Sequence, residues 1–194
     1  MKPTRFETAI ALIDKKNAED INTYQVADIE YPKELLYSQR MTRKLLQFDP
    51  NASKALQISA RAQHICRWKI ARKEYPMDRV GYLKWRETLK KMHAELTGEI
   101  LQQVGFDDQF VDRVQKIILK KLLKKNEEAQ ALEDTTCLVF LDYYFEEFAA
   151  KHTDEKVIDI LKKTWVKMSD KGHAAALKIP FSDKSLALVK QAIS

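Results

Sequence analysis

Of the four histidines in this 194-residue chain, two are spaced to do chemistry together. His64 shares a helical face with Arg67, Trp68 and Ala71, three, four and seven positions on. His93 shares one with Leu89, Arg86 and Tyr82, four, seven and eleven positions back. Each reads as a mid-helix residue, and the two helices are joined by the short turn Tyr75-Pro76-Met77-Asp78. An antiparallel hairpin is expected, with Pro76 and Met77 near its midpoint. That would bring the two imidazoles to one height, where they could meet a single ion. Glu133-Asp134 supplies acids at the mouth of the apolar run Cys137-Leu138-Val139-Phe140-Leu141. Charge there costs free energy unless it is partnered, so one carboxylate is expected to face an ion or an arginine. Two neutral imidazoles with one or two carboxylates suit Mn, Fe, Ni or Zn. The same residues also admit a structural reading, with each histidine hydrogen-bonded in the core and the acids paired with Arg67 or Arg86. His152 and His173 lie at helix ends and are expected in solvent.

Charge is unevenly spread around these residues. Formal net charge is +6, and the stretch from Arg61 to Lys91 holds ten Lys or Arg against three acids. Five of the ten are arginines, whose planar fork suits phosphate or carboxylate. Arg67, Arg72, Arg79 and Arg86, with Tyr82, are the candidate anion contacts. Lys163 and Lys167, four apart on one helix face, are candidates for a basic rim. The Lys-rich run from Lys116 to Lys125 alternates with Ile and Leu and reads as the outer face of an amphipathic helix.

Helices must position all of this. The spacing predicts helices over residues 6–16, 33–48, 52–74, 79–104, 109–125, 126–151, 156–170 and 182–193. Residues 21–33 read as irregular, and Asn17, Glu19 and Asp20 as a helix stop. Asp78, Asp107 and Asn126 are expected N-caps, and Gly105 a C-cap. With only 4 glycines and 5 prolines, the turn-rich sandwiches and barrels are excluded. The expected fold is all-α, a multi-helix bundle in a single domain over 1–194, with its core over about 5–177 and a C-terminal helix at 182–193.

The same composition excludes several function classes. There is no GxxxxGK[ST] and no GxGxxG phosphate cradle. No apolar run approaches the ~20 residues of a membrane-spanning helix, and none resembles a secretory leader. Two cysteines, Cys66 and Cys137, are too few for a disulfide framework and read as inert core thiols, so a cytoplasmic setting is expected.

Four phrases resemble an uncharacterised family, domain of unknown function 4202. They are Ala62-Gln63-His64-Ile65-Cys66-Arg67-Trp68, the run from Tyr75-Pro76-Met77-Asp78 to Leu83-Lys84-Trp85-Arg86, Leu132-Glu133-Asp134, and Lys163-Thr164-Trp165-Val166-Lys167-Met168-Ser169. More distantly, the order His64, His93, Asp134 resembles the HD superfamily of metal-dependent phosphohydrolases. That likeness implies an HD-like fold, with His64, His93 and Asp134, or its neighbour Glu133, as metal ligands. It departs at His93, which is followed by Ala94 rather than an aspartate. The expected function is therefore a metal-dependent hydrolase of a phosphate-bearing, nucleotide-like small molecule, with Glu133 as general base. The alternative is a non-catalytic module binding nucleic acid or another anionic partner through the Arg61–Lys91 face.

Overall fold

The computed structural model describes residues 2–123 and 125–194. Met1 and Lys124, which belong to the expected domain and the expected Lys-rich face, lie outside them. The described chain is helical almost throughout, with helices α1 (Arg5–Asn17), α2 (Lys33–Phe48), α3 (Lys54–Ala62), α4 (Arg79–Val104), α5 (Asp108–Ile118), α6 (Glu127–Tyr143), α7 (Phe145–Ala150), α8 (Asp154–Trp165), α9 (Asp170–Ala176) and α10 (Asp183–Ile193). Among the described residues no helix is long and apolar enough to cross a membrane.

Local chemistry explains where most helices begin. The side chains of Asp78, Asp107 and Asn126 each accept a bond from a first-turn amide of α4, α5 and α6. Gly105 closes α4 at φ 86°, the left-handed conformation that favours glycine. Helices α2, α7 and α8 have no side-chain bond from their N-cap residues, and α2 bears on the site. Its N-cap is Pro32, which offers no side-chain acceptor. Asp20 supplies one from the preceding loop, accepting from the Glu34 amide at 3.0 Å while its other oxygen holds Asn22.

Five sequence expectations are corrected. Residues 21–33 contain a hairpin, β1 (Thr23–Val26) antiparallel to β2 (Ile29–Pro32), with Val26 opposite Ile29 and Thr23 opposite Pro32. The helix expected over 52–74 stops at Ala62, and two short 3-10 turns, Arg67–Lys69 and Arg72–Glu74, follow. Cys66 sits at φ 54° there, which no α-helix accommodates. Helix α5 stops at Ile118, because Lys120 and Leu122 also take positive φ. The helix expected over 156–170 ends at Trp165, and a separate α9 starts after Ser169. The helix expected over 126–151 likewise divides after Tyr143.

Two apolar clusters form the interior, and α6 serves both. Leu132 and Val139 of α6 pack with Ile13, Met41, Leu45, Ile58, Leu101 and Ile117 of α1–α5. Cys137, Leu138 and Leu141, on its other side, pack with Phe145, Val157, Leu161 and Leu188 of α7, α8 and α10. Both cysteines are buried, and burial pushes the Cys137 thiol up to about 12, as expected of inert thiols. Asp134 also belongs to this framework. Its carboxylate accepts from the Ser169 amide at 2.8 Å, the Ser169 hydroxyl at 2.5 Å and the Gln130 amide at 3.1 Å. It thereby docks the start of α9 onto α6. Gly172 makes the approach feasible, since a Cβ there would lie 2.6 Å from Asp134 Oδ1.

Gly172→Ala is therefore expected to cost roughly 1–3 kcal/mol by overpacking. Asp134→Ala should cost roughly 2 kcal/mol or more, because Ser169 and Gln130 lose a charged acceptor. Urea unfolding checks both; a loss under about 0.5 kcal/mol in either variant would refute the docking role.

Candidate functional site

The two histidines do meet, although by a route different from a helical hairpin. His64 lies in the irregular stretch after α3, and His93 lies in α4. Their ring centroids are 6.0 Å apart. His93 Nδ1 lies 2.7 Å from the Ile65 carbonyl, which can only accept, so Nδ1 carries the proton. This bond pins the His64–Arg67 stretch onto α4. A second tie comes from α1, where Asn17 Oδ1 accepts from the Cys66 amide at 3.1 Å. A third comes from Trp85, whose indole N–H donates to the Ile70 carbonyl at 2.9 Å. The residues expected as a helix stop thus have a positioning role: Asn17 holds the turn, and Asp20 caps the helix carrying Glu34.

His64 is the middle of a chain of polar contacts. Its Nδ1 lies 3.2 Å from Glu34 Oε2, and its Nε2 lies 3.2 Å from Arg67 Nη1. An ionised carboxylate only accepts and a guanidinium only donates, so His64 is fixed as the neutral Nδ1–H tautomer. Tyr37 stacks on the ring at 4.1 Å with 10° between planes. Arg67 also approaches Glu34 at 3.9 Å and lies over Trp85 at 4.6 Å. Lys33, Glu34, Tyr37, His64, Arg67 and Tyr144 line a cavity of about 230 Å³.

The electrostatics follow from burial and an excess of cations. Burial holds His64 well below its usual value, and Arg67, Arg86, Lys120 and Lys33 push it further down. Burial also depresses His93, to about 3, with His64 adding to the effect. Glu34 is raised by burial, against the pull of Arg67 and Lys33. His93 Nε2 is buried and has no hydrogen-bond partner among the described residues, so it presents an unused lone pair.

The acids expected to join the histidines are occupied elsewhere. Glu133 pairs with Lys120, and despite its burial that ammonium holds its carboxyl below the usual range. Lys120 was expected on an outer helix face; its positive φ of 52° accompanies an inward turn of its side chain, which is only 10% exposed. Asp134 is bound to Ser169 as described. Among the described residues no group of three or more His, Cys, Asp or Glu side chains is arranged to hold a metal.

The candidate anion contacts divide. Arg67 contacts the His64 ring, Arg86 acts on His64 electrostatically, and Arg86 donates to the Tyr82 hydroxyl at 3.2 Å. Burial would raise the Tyr82 phenol, but Arg86 reverses the shift. Arg72 is committed to the Tyr75 and Asp78 carbonyls at 3.0 and 3.2 Å, tying the turn before α4. Arg79, Tyr82, Lys163 and Lys167 line a separate outer groove of about 920 Å³. His152 is exposed as expected, whereas His173 is half-buried and stacks on Trp165 at 4.1 Å.

Three contributors escaped the sequence reading: Glu34, Tyr37 and Lys120. A signal existed for Glu34. It falls in line with Ser38, Met41 and Leu45 on the buried stripe of α2, where an acid needs a partner. None existed for Lys120, because nothing local marks its left-handed backbone.

The family described as Domain of unknown function (DUF4202) matches residues 7–189. The chain belongs to this family. Neither a curated protein nor a solved structure matches it. All the residues of the Glu34–His64–Arg67 chain, and His93 beside it, fall inside the span matched to DUF4202.

Both imidazoles are expected as Nδ1–H tautomers that stay neutral well below pH 6.5, observable in ¹⁵N-resolved imidazole spectra. Arg67→Gln should raise the His64 value by removing the nearest cation. An unshifted His64 in that variant, or a wild-type His64 titrating near 6.5, would contradict this electrostatic account. Stability carries the same sign. The unfolded chain protonates these histidines near 6.5 and the folded one does not. Each therefore contributes a loss of up to about 1.4 kcal/mol per pH unit as pH falls below 6.5, for His93 down to about 3. Glu34, with its raised folded value, offsets part of this loss at the acid end.

Proposed function

We propose that this DUF4202 chain is a hydrolase of phosphate esters, with His64 as general base and Arg67 and Arg86 as phosphate ligands. The observation that carries the reading is the Glu34–His64–Arg67 chain opening on a cation-rich cavity. Glu34 fixes the tautomer that turns the Nε2 lone pair away from the carboxylate, toward Arg67. An incoming phosphate competes for Arg67, the half-buried guanidinium that now occupies that lone pair. Once Arg67 engages phosphate oxygens, Nε2 is free to take a proton from water. That water attacks phosphorus, the bond to the leaving oxygen breaks, and the imidazolium returns the proton to it. Arg67 and Arg86 balance the charge on the equatorial oxygens. Glu133 holds Lys120 beside the site in this scheme, a supporting role rather than that of the base.

A divalent ion, Mn, Fe, Ni or Zn, is the second reading, favoured by the unused lone pair of His93 Nε2 on a ring whose centroid is 6.0 Å from that of His64. It would draw the two Nε2 atoms as ligands and complete its shell with water or phosphate oxygens, since Asp134 is committed elsewhere.

His64→Asn should lower turnover of an activated phosphate ester by 10²–10⁴-fold with unchanged helicity. The acid limb of wild-type turnover should fall below pH 6.5 and move upward in Arg67→Gln. A His64→Asn variant with wild-type turnover would refute the base assignment. Metal content separates the two readings: near-stoichiometric metal lost in His93→Gln supports the ion, and no metal after incubation with each of the four supports the metal-free base.

A further inference from the structure

The outer groove runs between the first turns of α4 and the length of α8, and its chemistry differs from that of the cavity. Leu83, Ile160 and Val166 give it an apolar floor, and Arg79, Lys156, Lys162, Lys163 and Lys167 a cationic rim. No acidic side chain lines it among the described residues. Among the described residues Lys163 alone of these five is ion-paired, to Asp159 one turn back at 2.6 Å. That pair is exposed, so it is worth little against a polyanion. Leu83 and Val166 are 56% and 76% exposed, so the groove holds apolar surface open to solvent.

The rim follows α8 and continues past it. Lys156 and Lys163 are seven residues apart, about 10 Å along α8, Lys162 is next to Lys163 in sequence, and Lys167 lies beyond the helix end at Trp165 rather than on the helix face expected for it. Ile160 falls between the first two. Cations along a groove with apolar side chains between them match a strand whose phosphates face out and whose bases face in. A mononucleotide has too few phosphates to use this length of rim. The groove also leads inward. Tyr82 lines it, 40% exposed, and receives the Arg86 hydrogen bond at its hydroxyl. Tyr82 lies beside Trp85, with ring centroids 6.0 Å apart, and Arg67 of the cavity lies 4.6 Å over that indole.

We infer that the groove binds single-stranded nucleic acid and feeds its phosphorylated end past Tyr82 to Arg86, Arg67 and His64. This rests on the phosphate-ester reading of the cavity and names its substrate class, a terminal phosphate of an oligonucleotide. Hydrolysis there breaks the terminal ester bond, releases inorganic phosphate and leaves a hydroxyl end, with water as the only co-reactant. Bases pack on Tyr82 and the aliphatic floor with little sequence preference, since every base has a flat apolar face.

The test uses the full chain and a fluorescein-labelled 12-nucleotide single strand bearing a terminal phosphate, followed by fluorescence anisotropy at several salt concentrations. Inorganic phosphate binding is measured in parallel by calorimetry. Wild type should bind the strand with strong salt dependence. The Lys156→Glu, Lys163→Glu double variant, altered only at exposed positions, should bind it at least tenfold more weakly. Its log–log salt slope should be shallower by about 1.4, roughly 0.7 for each lost contact. Its phosphate binding should be unchanged. Equal strand affinity in the double variant would overturn the inference, as would equally tight binding of polyglutamate of matched charge. Phosphate binding by a wild type that ignores the strand would overturn the groove and leave the cavity reading standing. Strand binding without phosphate binding would keep the groove and remove the hydrolase reading.

Discussion

One left-handed residue organises the candidate site. Cys66 at φ 54° stops α3 from continuing, and the chain can hold that conformation because its peptide N–H is satisfied by Asn17 from α1. Were the helix to run on, Ile65 would lose its free carbonyl to the next turn. His93 would then lack the acceptor that sets its tautomer. His64 and Arg67 would remain neighbours, but on the surface of a straight rod rather than against Glu34. The Trp85 bond to Ile70 secures the far end of the same stretch. A fully buried cysteine is an economical choice there, since its small apolar side chain fits the core while the backbone turns.

Around this turn the protein sorts its many cations by partner. Arg61 takes Asp14 in a two-pronged pair at 2.6 Å, and Arg72 takes two carbonyls. Lys120 takes Glu133. Those side chains have their hydrogen bonds and hold the fold. Among the described residues the polar partners of Arg67 are an imidazole nitrogen at 3.2 Å and a carboxylate at 3.9 Å, and Arg86 donates to a phenol. Such cations lie in an environment that makes charge costly while their donors are incompletely used, which is the electrostatic condition for taking up an anion. The surplus of positive charge also keeps both histidines neutral, and a neutral imidazole is what a base or a ligand requires.

Asp134 illustrates how a chemically plausible group becomes a joint. Its three acceptor contacts bind Ser169 and Gln130, and Gly172 clears the space. It joins α6, which both apolar clusters share, to the start of α9. An acid beside an apolar run announces that a partner exists. It does not announce whether that partner is an ion or an amide, because both satisfy the same lone pairs.

Read alone, the sequence determined the helices that end in strong local chemistry. Asp78, Asp107, Asn126 and Gly105 mark their boundaries through bonds made within a few residues, so their meaning survives without the rest of the chain. It also singled out His64 and His93 as neighbours, and Arg67 and Arg86 as the cations near them. It failed where a distant group decides the backbone. Cys66 and Lys120 carry no local mark of a left-handed conformation; Asn17, 49 positions away, and Glu133, 13 away, supply their partners. The family match and the helical architecture were legible from patterns and phrases. That Glu34 would meet His64 across 30 residues, and that Asp134 would be drawn to Ser169 instead, was settled only when the helices packed, since a buried polar group takes whichever partner packing brings within reach.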